Sequence, residues 1–353
     1  MKPIHTLVFL SLRTGERVTR RSWVASVTRI PSPIQSTQAS HGKSPPVRRG
    51  LLFLTSVCLL GCEPVPTEND AGQPLPLTRV RVATFNVKLF FDSTCQSGAC
   101  APADFEQVLA PQTFDARAAE LAAAIRGFDA DVVALQELET QGCLDALISR
   151  LSDTLPHGVL GEINTAGSVD VAILSRTPLE KVVGHRNLER LTRPDGSRTN
   201  YSREFLEAHV RVAEGTEVVL FAAHFRSKSM DDPGRRLAEA QTSRRIVTDV
   251  ATALPGALVV MAGDLNDVPG SAPMEALTGD AGLLRVAADL PVADQYTYVF
   301  NGRGEAIDHI LQGPTPAGAP VPRSAIVWKN SRGFAGSDHY ALTADFEIAR
   351  PAP

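Results

Sequence analysis

The sequence has no apolar stretch close to the ~18 residues that a membrane-spanning helix needs, which excludes a multipass membrane protein. It has no Gly-x-Ser-x-Gly motif and no complete phosphate-binding P-loop, so neither triad-type serine catalysis nor P-loop nucleotide binding is indicated. Cysteines are few, and Cys95, Cys100 and Cys143 are poorly spaced for a structural zinc site, which usually has four ligands. The composition of the 353 residues, 43% hydrophobic and 21% charged, is ordinary for a folded protein and excludes collagen, a coiled coil and wholesale disorder.

Charge is distributed unevenly along the chain. Residues 1–49 carry nine Lys or Arg against the single acid Glu16, whereas the remainder is strongly acidic and brings the net charge to −4. An acidic body argues against a protein that grips long duplex DNA through many phosphate contacts.

The region around residue 60 resembles an export signal. Residues 47–61 contain a basic patch, a short apolar run and small residues, which is the layout of a signal peptide. The last four residues of the segment ending at Cys62 also resemble a bacterial lipobox, in which cleavage leaves a diacylated cysteine. Residues 62–77, rich in Pro, Thr, Glu and Asn, predict a flexible tether. We therefore expect an exported protein, either secreted or a cell-envelope lipoprotein held to a membrane only through Cys62; a plain signal peptide or a short buried helix remain alternatives.

Residues 1–46 are rich in Ser, Thr, Pro and Arg, without a steady apolar period. They place the export signal unusually deep in the chain. We expect a non-native or disordered extension, with translation beginning near Val47, and peptides from 1–46 in the mature protein would contradict this.

The remaining cysteines fit an oxidising compartment. Cys95 and Cys100 are near enough in sequence to close a small loop, so a disulfide between them is favoured. Cys143 is left without a partner.

From about residue 78 to 348, strand-like and helical patterns follow one another without an internal linker, which predicts one domain and a short tail over 349–353. Helical spacing predicts helices over 115–127, 142–151 and 234–254. Apolar runs bounded by turn residues predict strands over 80–87, 132–137, 169–174, 205–212, 218–225, 258–262, 306–311, 325–328 and 340–346. Many strands with few helices indicate an α+β architecture of packed sheets with helices outside, rather than a doubly wound parallel sheet.

Acids, amides and histidines lie at or beside the ends of several predicted strands. Polar groups in apolar strands are costly to bury unless they are paired or bind a metal. Each one alone is typical of a turn, a cap or a hydrogen-bonded core residue, but together they indicate one site. The residues concerned are Asn86, Glu137, His224, Asp264, Asn266, Asp308, Asp338 and His339.

These residues belong to short motifs whose order resembles that of the endonuclease/exonuclease/phosphatase superfamily over roughly residues 80–348. The resemblance implies a four-layer α/β/β/α sandwich like that of DNase I, with two mixed sheets packed face to face and the site at one end of the sheets. The motifs are Thr84-Phe-Asn86, Leu135-Gln-Glu137, Ala223-His224-Phe225, Gly263-Asp-Leu-Asn-Asp267, Ile307-Asp-His309 and Ser337-Asp-His-Tyr340.

The resemblance also implies a metal site. Glu137 matches the principal Mg²⁺ ligand, Asn86 the amide beside it that helps to hold metal or phosphate, and Asp338 an acid near the metal. Mg²⁺ prefers oxygen ligands, keeps several waters and usually takes only one or two carboxylates plus substrate, which suits this set. Mn²⁺ or Ca²⁺ are expected substitutes.

Catalytic roles follow from the same resemblance. Asp264 and Asn266 match the pair that orients the attacking water and the scissile phosphate. His339 matches the general base or phosphate stabiliser, Asp308 the acid that orients its imidazole, and His224 a second His that binds phosphate. A His supported by an Asp has its tautomer fixed and its imidazolium favoured.

Three basic residues are candidates for phosphate binding. Ser202-Arg203-Glu204 resembles the Arg-containing strand by which DNase I contacts a phosphate. Lys228 and Arg235 lie near the start of the predicted helix 234–254 and could reach a phosphate, or they could form a solvated face or pair with Asp231 and Asp232.

The remaining histidines of the domain belong to none of these motifs and have no acidic partner that the sequence indicates. We expect them to be structural or exposed; they are His157, His185 and His209.

The reaction we expect is Mg²⁺-dependent hydrolysis of phosphodiester bonds by a monomer, with nucleic acid outside the cell as the leading substrate. Hydrolysis of phospholipid headgroups or small phosphate esters is the nearest alternative, because fold does not fix function. A non-catalytic surface binding protein with this fold is the second alternative, but every position of the core set is filled.

Overall fold

The computed structural model describes residues 77–213, 215–329 and 334–349. The predicted extension, signal peptide and lipidated Cys62, and the tether up to residue 76, lie outside the described residues. Within them, no helix is long and apolar enough to cross a membrane.

Two mixed sheets, one of seven strands and one of six, form the centre of the domain. The first has the order β15-β17-β1-β2-β4-β3, with β16 also paired to β17, and the second has the order β11-β14-β10-β9-β8-β5. The pairs β1–β2 and β9–β10 are parallel, and their other neighbours run antiparallel. The strands are β1 Leu77–Phe90, β2 Val132–Leu138, β3 His157–Gly161, β4 Asp170–Ser175, β5 Leu179–Gly184, β6 Leu191–Thr192, β7 Arg198–Thr199, β8 Leu206–Ala213, β9 Thr216–His224, β10 Ala257–Asp264, β11 Leu284–Arg285, β12 Tyr298–Phe300, β13 Arg303–Glu305, β14 Asp308–Gln312, β15 Gly318–Pro320, β16 Ile326–Val327 and β17 Leu342–Ala349.

Helices cover the outer faces of both sheets. They are α1 Pro111–Gly127, α2 Gln141–Arg150, α3 Pro233–Ala253 and α4 Ala272–Thr278, with short 3₁₀ turns at Lys228–Met230, Val286–Asp289, Val292–Asp294 and Phe334–Gly336. α1 begins at Pro111 and buries an apolar stripe at helical spacing that includes Leu121 and Ile125. Thr140 and Asp232 cap α2 and α3 through their side chains.

Three layers of apolar side chains pack the domain together: one lies between the two sheets, and one lies between each sheet and the helices outside it. Residues of alternate position on the strands, such as Val82 in the first sheet and Val260 in the second, form the core between the sheets. Their neighbours along the same strands, such as Phe85 and Met261, face α1 and α2 on one side and α3 and α4 on the other. The predicted α+β sandwich of two packed sheets with outer helices is confirmed.

The sequence-based elements lie within a few residues of the observed ones, and several short elements were missed. The predictions omitted α4, the edge strands β3, β5, β11 and β15, and the ribbons β6–β7 and β12–β13. Short edge strands carry too few residues to show a period of two, and their pairing is set by neighbours distant in sequence. β17 extends to Ala349, which pairs with Leu77 at the start of β1.

Candidate active site

Strand alternation brings four of the chemistry-bearing residues to one end of the space between the sheets. Asn86, His224, Asp264 and Asp308 occupy the positions that continue the inter-sheet core of β1, β9, β10 and β14. In the second sheet, Asp264 is directly opposite both His224 and Asp308 in register. Because the side-chain period of a strand is two, apolar positions further back on each strand fix which way these polar groups face.

Glu137 reaches the same place by a different route. Along β2, simple alternation assigns Glu137 to the outer, helix-covered face, next to buried Leu135. Its φ of +70° and a register shift between Gln136 and Leu138 instead mark a bulge. A left-handed non-glycine residue is strained and is retained mainly where surrounding contacts enforce it. Its carboxylate accepts a hydrogen bond from the Leu89 amide (2.8 Å), on a second bulge in β1 where Leu89 also has a positive φ of 45°.

One carboxylate oxygen is the meeting point of three elements. Asp264 Oδ2 accepts a hydrogen bond from Asn86 Nδ2 (3.1 Å) and lies 3.6 Å from His224 Nε2 and 3.9 Å from His339 Nε2. Asn86 Nδ2 also donates to Glu137 Oε1 (3.1 Å), while its own oxygen accepts from the Lys88 amide. The amide therefore holds the two carboxylates beside each other.

His339 is held on its other side by Asp308. Its Nδ1 lies 2.9 Å from Asp308 Oδ2, and the Asp308 amide donates to the Thr297 hydroxyl. Ser337 fixes the backbone, since its hydroxyl donates to the Asn86 carbonyl and accepts from the His339 amide. The Tyr298 ring packs on the imidazole with centroids 4.9 Å apart.

The buried charges shift one another's pKa values. Burial, and next the nearby Asp308 carboxylate, raises the pKa of Asp264 to about 7. Burial alone would lower the pKa of His339, but Asp308, through charge and hydrogen bond, and Asp264 raise it to about 10. Burial, with Arg203 and His339 nearby, lowers the pKa of His224 well below its usual range. Oppositely shifted groups side by side are typical of functional sites.

Turn geometry sets the end of β10. Gly263 has a φ of 154°, and a Cβ there would overlap the Ala223 carbonyl oxygen on β9, so the strands approach more closely than another residue allows. Asn266, with a φ of 53°, donates its amide N–H to Asp264 Oδ1 (2.9 Å) and its side chain to the Phe225 carbonyl. Asn266 therefore orients Asp264.

The donor set fits a hard divalent cation. Glu137 and Asp264 offer carboxylate oxygens, and the ion pairs that these two acids form among the described residues are with histidines alone. Oxygens of Asp264 and Asp308 and a ring nitrogen of His339 lie within 4.8 Å of one another. Asp308 Oδ1 and His224 Nδ1 are buried without a hydrogen-bond partner. A bound cation and an anionic substrate would supply the partners that these two atoms lack.

The cluster opens into a cleft of about 460 Å³, and Glu137 and His339 both line it. Basic residues at its rim are Lys88, Arg203 and Lys228, and exposed aromatic rings of Phe105 and Phe300 line it as well. Asp338 also lines it, paired with Lys88 (3.0 Å).

Two predicted phosphate contacts differ from expectation. Arg235 is not among the cleft-lining residues: its Nε donates to the Asn200 carbonyl (3.0 Å) and lies 3.8 Å from Glu239 Oε1, and its role in phosphate binding stays a prediction. Arg203 does line the cleft, but from a loop before β8 rather than from a strand. Lys228 lines it while paired with Asp267 (3.2 Å).

Sequence reasoning missed Lys88, Phe105 and Phe300 as cleft residues. Lys88 directly follows the Asn86 motif, but its position depends on a positive φ of 54° that no sequence pattern signals. Phe105 comes from the loop between β1 and α1, which also contains the Cys95–Cys100 disulfide, and Phe300 comes from the β12–β13 ribbon.

His185 and His209 share an acidic partner that the sequence did not lead us to expect. Glu207 contacts both, with distances of 2.8 Å to His185 Nε2 and 2.6 Å to His209 Nε2. Glu207 precedes His209 by two residues and so shares its face of β8, which was the available signal.

Comparison with known proteins gives the same architecture. The Endonuclease/Exonuclease/phosphatase family pattern matches residues 83–339. No curated protein sequence matches the chain significantly. Among solved structures, an endonuclease/exonuclease/phosphatase from Beutenbergia cavernae is similar with a TM-score of 0.53 at 23% identity, covering 78% of this chain and 73% of that chain.

Two other solved structures are similar in fold. One from Bacteroides vulgatus, also described as an endonuclease/exonuclease/phosphatase, has a TM-score of 0.56 at 18% identity and covers 77% of this chain and 99% of that chain. TDP2 of D. rerio, solved with a single-strand DNA product, has a TM-score of 0.52 at 18% identity and covers 76% of this chain and 99% of that chain. Members of the matched family are hydrolases of phosphoester bonds and generally depend on divalent metals. With the family pattern spanning both bulged strands, the cleft and the final His-bearing motif, the chain belongs to the endonuclease/exonuclease/phosphatase family.

Proposed function

We propose that this protein hydrolyses phosphodiester bonds with the help of Mg²⁺, and that its substrate is a nucleic acid strand. The observation that carries the proposal is the convergence of Asn86, His224 and His339 on one oxygen of Asp264, with Glu137 beside it, at the floor of an open cleft. Oxygen ligands in small number favour Mg²⁺ over softer metals. When bound, the cation polarises a phosphoryl oxygen and neutralises charge on the departing oxygen.

Each side chain of the cluster would have its own role in the hydrolysis. Glu137 would hold the cation, with Asn86 keeping its carboxylate beside that of Asp264. Asp264, whose carboxylate is oriented by the Asn266 amide, would orient and deprotonate the attacking water. His339, kept cationic by Asp308, would face the negative phosphate, and His224 would bind a second phosphoryl oxygen.

The rim of the cleft supports a nucleic acid strand as substrate. Arg203 supplies positive charge at the cleft of an otherwise acidic protein, and Lys88 and Lys228, each paired with an acid there, can exchange that partner for a backbone phosphate. Phe105 and Phe300 are 57% and 54% exposed, and exposed rings beside basic groups are platforms on which unpaired bases stack. The similar fold of a TDP2 with a single-strand DNA product is consistent with this substrate class.

A substrate panel with metal controls tests the proposal. Purified protein would be assayed on single-stranded DNA, plasmid, RNA, bis-p-nitrophenyl phosphate and sphingomyelin, with Mg²⁺ and with EDTA. We expect cleavage of nucleic acid that EDTA abolishes and Mg²⁺ restores. Preferential cleavage of sphingomyelin would assign the lipid alternative, and no cleavage of any substrate would indicate a binding protein.

We also propose that the domain works outside the cytoplasm, tethered by lipid on Cys62. The lipobox-like sequence before Cys62 and the disulfide between Cys95 and Cys100 support export. Metabolic labelling with an alkynyl fatty acid should mark the wild-type chain and not Cys62→Ser; equal labelling of both would refute the anchor.

A further inference from the structure

Arginines are concentrated around the β6–β7 ribbon, although the domain as a whole is acidic. Residues 190–203 contain four arginines and a single acid, Asp195. Within the ribbon, Thr192 pairs with Arg198, and both are exposed. Their neighbour Leu191 is buried in the apolar layer beneath α3. Because side chains alternate between the two faces of a strand, the face that carries Arg198 is the one turned to solvent.

Three of these four arginines have no acidic partner. Arg193 forms an ion pair with Asp232 at the start of α3 (2.8 Å). Arg190 and Arg198 are exposed, and the hydrogen bonds that they donate go to a side-chain amide, a hydroxyl and a backbone carbonyl. In the part of the chain that the structure describes, Arg190, Arg198 and Arg203 form no ion pair. Their charges are therefore available to an anionic ligand.

The arginines around the ribbon lead to the cleft. The side-chain oxygen of Asn200 accepts a hydrogen bond from Arg190 (3.0 Å), and its carbonyl accepts one from Arg235 Nε (3.0 Å). Arg203, which lines the cleft, follows Asn200 by three residues, so the two lie at most about 11 Å apart along the chain. We call Arg190, Arg193, Arg198 and Arg235 the arginine strip.

A second connection runs along the start of α3. Burial lowers the pKa of Arg235, Glu239 opposes this, and the positive charges of Arg226 and Arg193 lower the pKa further, which places these arginines close together. Glu239 is fully buried and accepts backbone amides, so its carboxylate does not face solvent. Arg226 precedes Lys228 of the cleft rim by two residues. The arginine strip therefore meets the cleft at two points.

We propose that the arginine strip extends the substrate-binding surface and holds phosphates of a nucleic acid strand several nucleotides away from the bond that is cleaved. The inference rests on the proposed function and adds to it a preference for long strands over short fragments. Guanidinium groups bind phosphate through directed N–H donors, and a row of them matches the regularly spaced charges of a strand's backbone. Because the rest of the domain is acidic, the strip is the favourable path for a strand that leaves the cleft.

Binding that depends on strand length tests the proposal. Fluorescein-labelled oligothymidylates of about 4 and about 12 nucleotides would be titrated with the full-length chain in EDTA, which prevents hydrolysis, and followed by fluorescence anisotropy. We expect the wild type to bind the longer strand at least about tenfold more tightly than the shorter one. Arg190→Gln combined with Arg198→Gln should remove most of this gain. It should also reduce the slope of log K against log salt by about 1.4, since each phosphate contact of a single strand contributes about 0.7.

Arg323→Gln is the matched control, because Arg323 is exposed, forms no ion pair with any described residue and does not line the cleft. It removes one charge elsewhere and should keep the wild-type gain, whereas either single variant of the strip should lose part of it. A double variant with the wild-type gain and salt slope would overturn the proposal. So would loss of binding to phosphatidylglycerol vesicles with unchanged oligonucleotide affinities, which would assign the strip to an anionic membrane. The substrate panel reports on hydrolysis separately, so failure of the proposed function would be seen there and not here.

Discussion

Two polar clusters on opposite faces of the second sheet both combine acids with histidines, but their charges are balanced differently. The outer cluster, on the face beside α3, consists of Lys181, His185, Glu207, His209 and Glu217. The cleft cluster, between the sheets, consists of Asn86, Glu137, His224, Asp264, Asp308 and His339. In the outer cluster, the buried side-chain nitrogens and oxygens all have hydrogen-bond partners, whereas His224 Nδ1 and Asp308 Oδ1 in the cleft do not.

The acid at the centre of each cluster shows the difference most clearly. Burial works against both, but hydrogen bonds from His185, His209 and Lys181 lower the pKa of Glu207 below its usual range. For Asp264, burial and the Asp308 charge raise the pKa to about 7. The outer cluster is therefore complete within the protein and serves stability. The cleft cluster is incomplete until a cation and substrate arrive, which is the signature of a working site.

The largest effect should come from removing the acid that faces the cleft. Glu137→Ala should lower metal-dependent phosphodiester hydrolysis by at least about 10³-fold, because the charge that would hold the cation is lost. Initial rates over a Mg²⁺ titration would measure it. Glu137→Gln, which can still accept the Leu89 N–H, should be as inactive as Glu137→Ala while melting close to wild type. Activity of Glu137→Gln near wild type would contradict the assignment.

Asp308→Asn should reduce kcat by about 10²- to 10³-fold and leave the fold intact. An amide can still hydrogen-bond to His339 but removes the charge that raises the pKa of the imidazole. Steady-state kinetics would show the loss in kcat with little change in KM, and the melting temperature would report on folding. A wild-type kcat would show that the Asp308–His339 pair is structural, like the outer cluster.

Removing the central charge of the outer cluster should lower stability and leave kcat unchanged, the opposite of what we expect for Asp308→Asn. Glu207→Gln removes the charge that three basic side chains share. Removing one partner of a buried ion pair costs about 3–5 kcal/mol of unfolding free energy, and the loss here should lie at or below the lower end because Lys181 is exposed. Urea denaturation would measure this loss, and kcat at saturating substrate should stay at the wild-type level. A loss of kcat without loss of stability would mean that the two faces of the sheet do not differ as argued.

The contrast between the clusters also marks what the sequence could and could not reveal. Strand-like runs predicted β1, β9 and β10, and with them the strands at or beside whose ends Asn86, His224 and Asp264 lie. They could not place Glu137, because its position depends on a bulge with a positive φ. They could not separate His209 from His224, since each is a histidine on an apolar strand.

Long-range pairing explains the remaining gaps. Arg235 was predicted to meet phosphate from its place near the start of a helix, yet the Asn200 carbonyl, from a distant loop, holds it elsewhere. Buried polar atoms without a hydrogen-bond partner also occur outside the cleft, at Asp170 Oδ1 and Gln312 Oε1 for example. The grouping of such atoms at one cleft, which only the folded backbone reveals, therefore separates functional from structural groups.

The smallest effect is a pH dependence confined to the outer cluster. Hydrogen bonding to Glu207, opposed by burial, raises the pKa of His209, so its stabilisation is complete below its unfolded value of about 6.5 and is lost as pH rises through the folded value. Glu207, with a lowered pKa, contributes above about pH 4.5 and loses its contribution as pH falls. The advantage of wild type over Glu207→Gln should therefore be largest between about pH 4.5 and 6.5 and shrink by about 1 kcal/mol or less towards pH 9, since Lys181 and Glu217 are partly solvated. Urea denaturation of both proteins at pH 6 and pH 9 measures the difference, and an advantage that grew with pH would show that His209 is not held as a cation by Glu207.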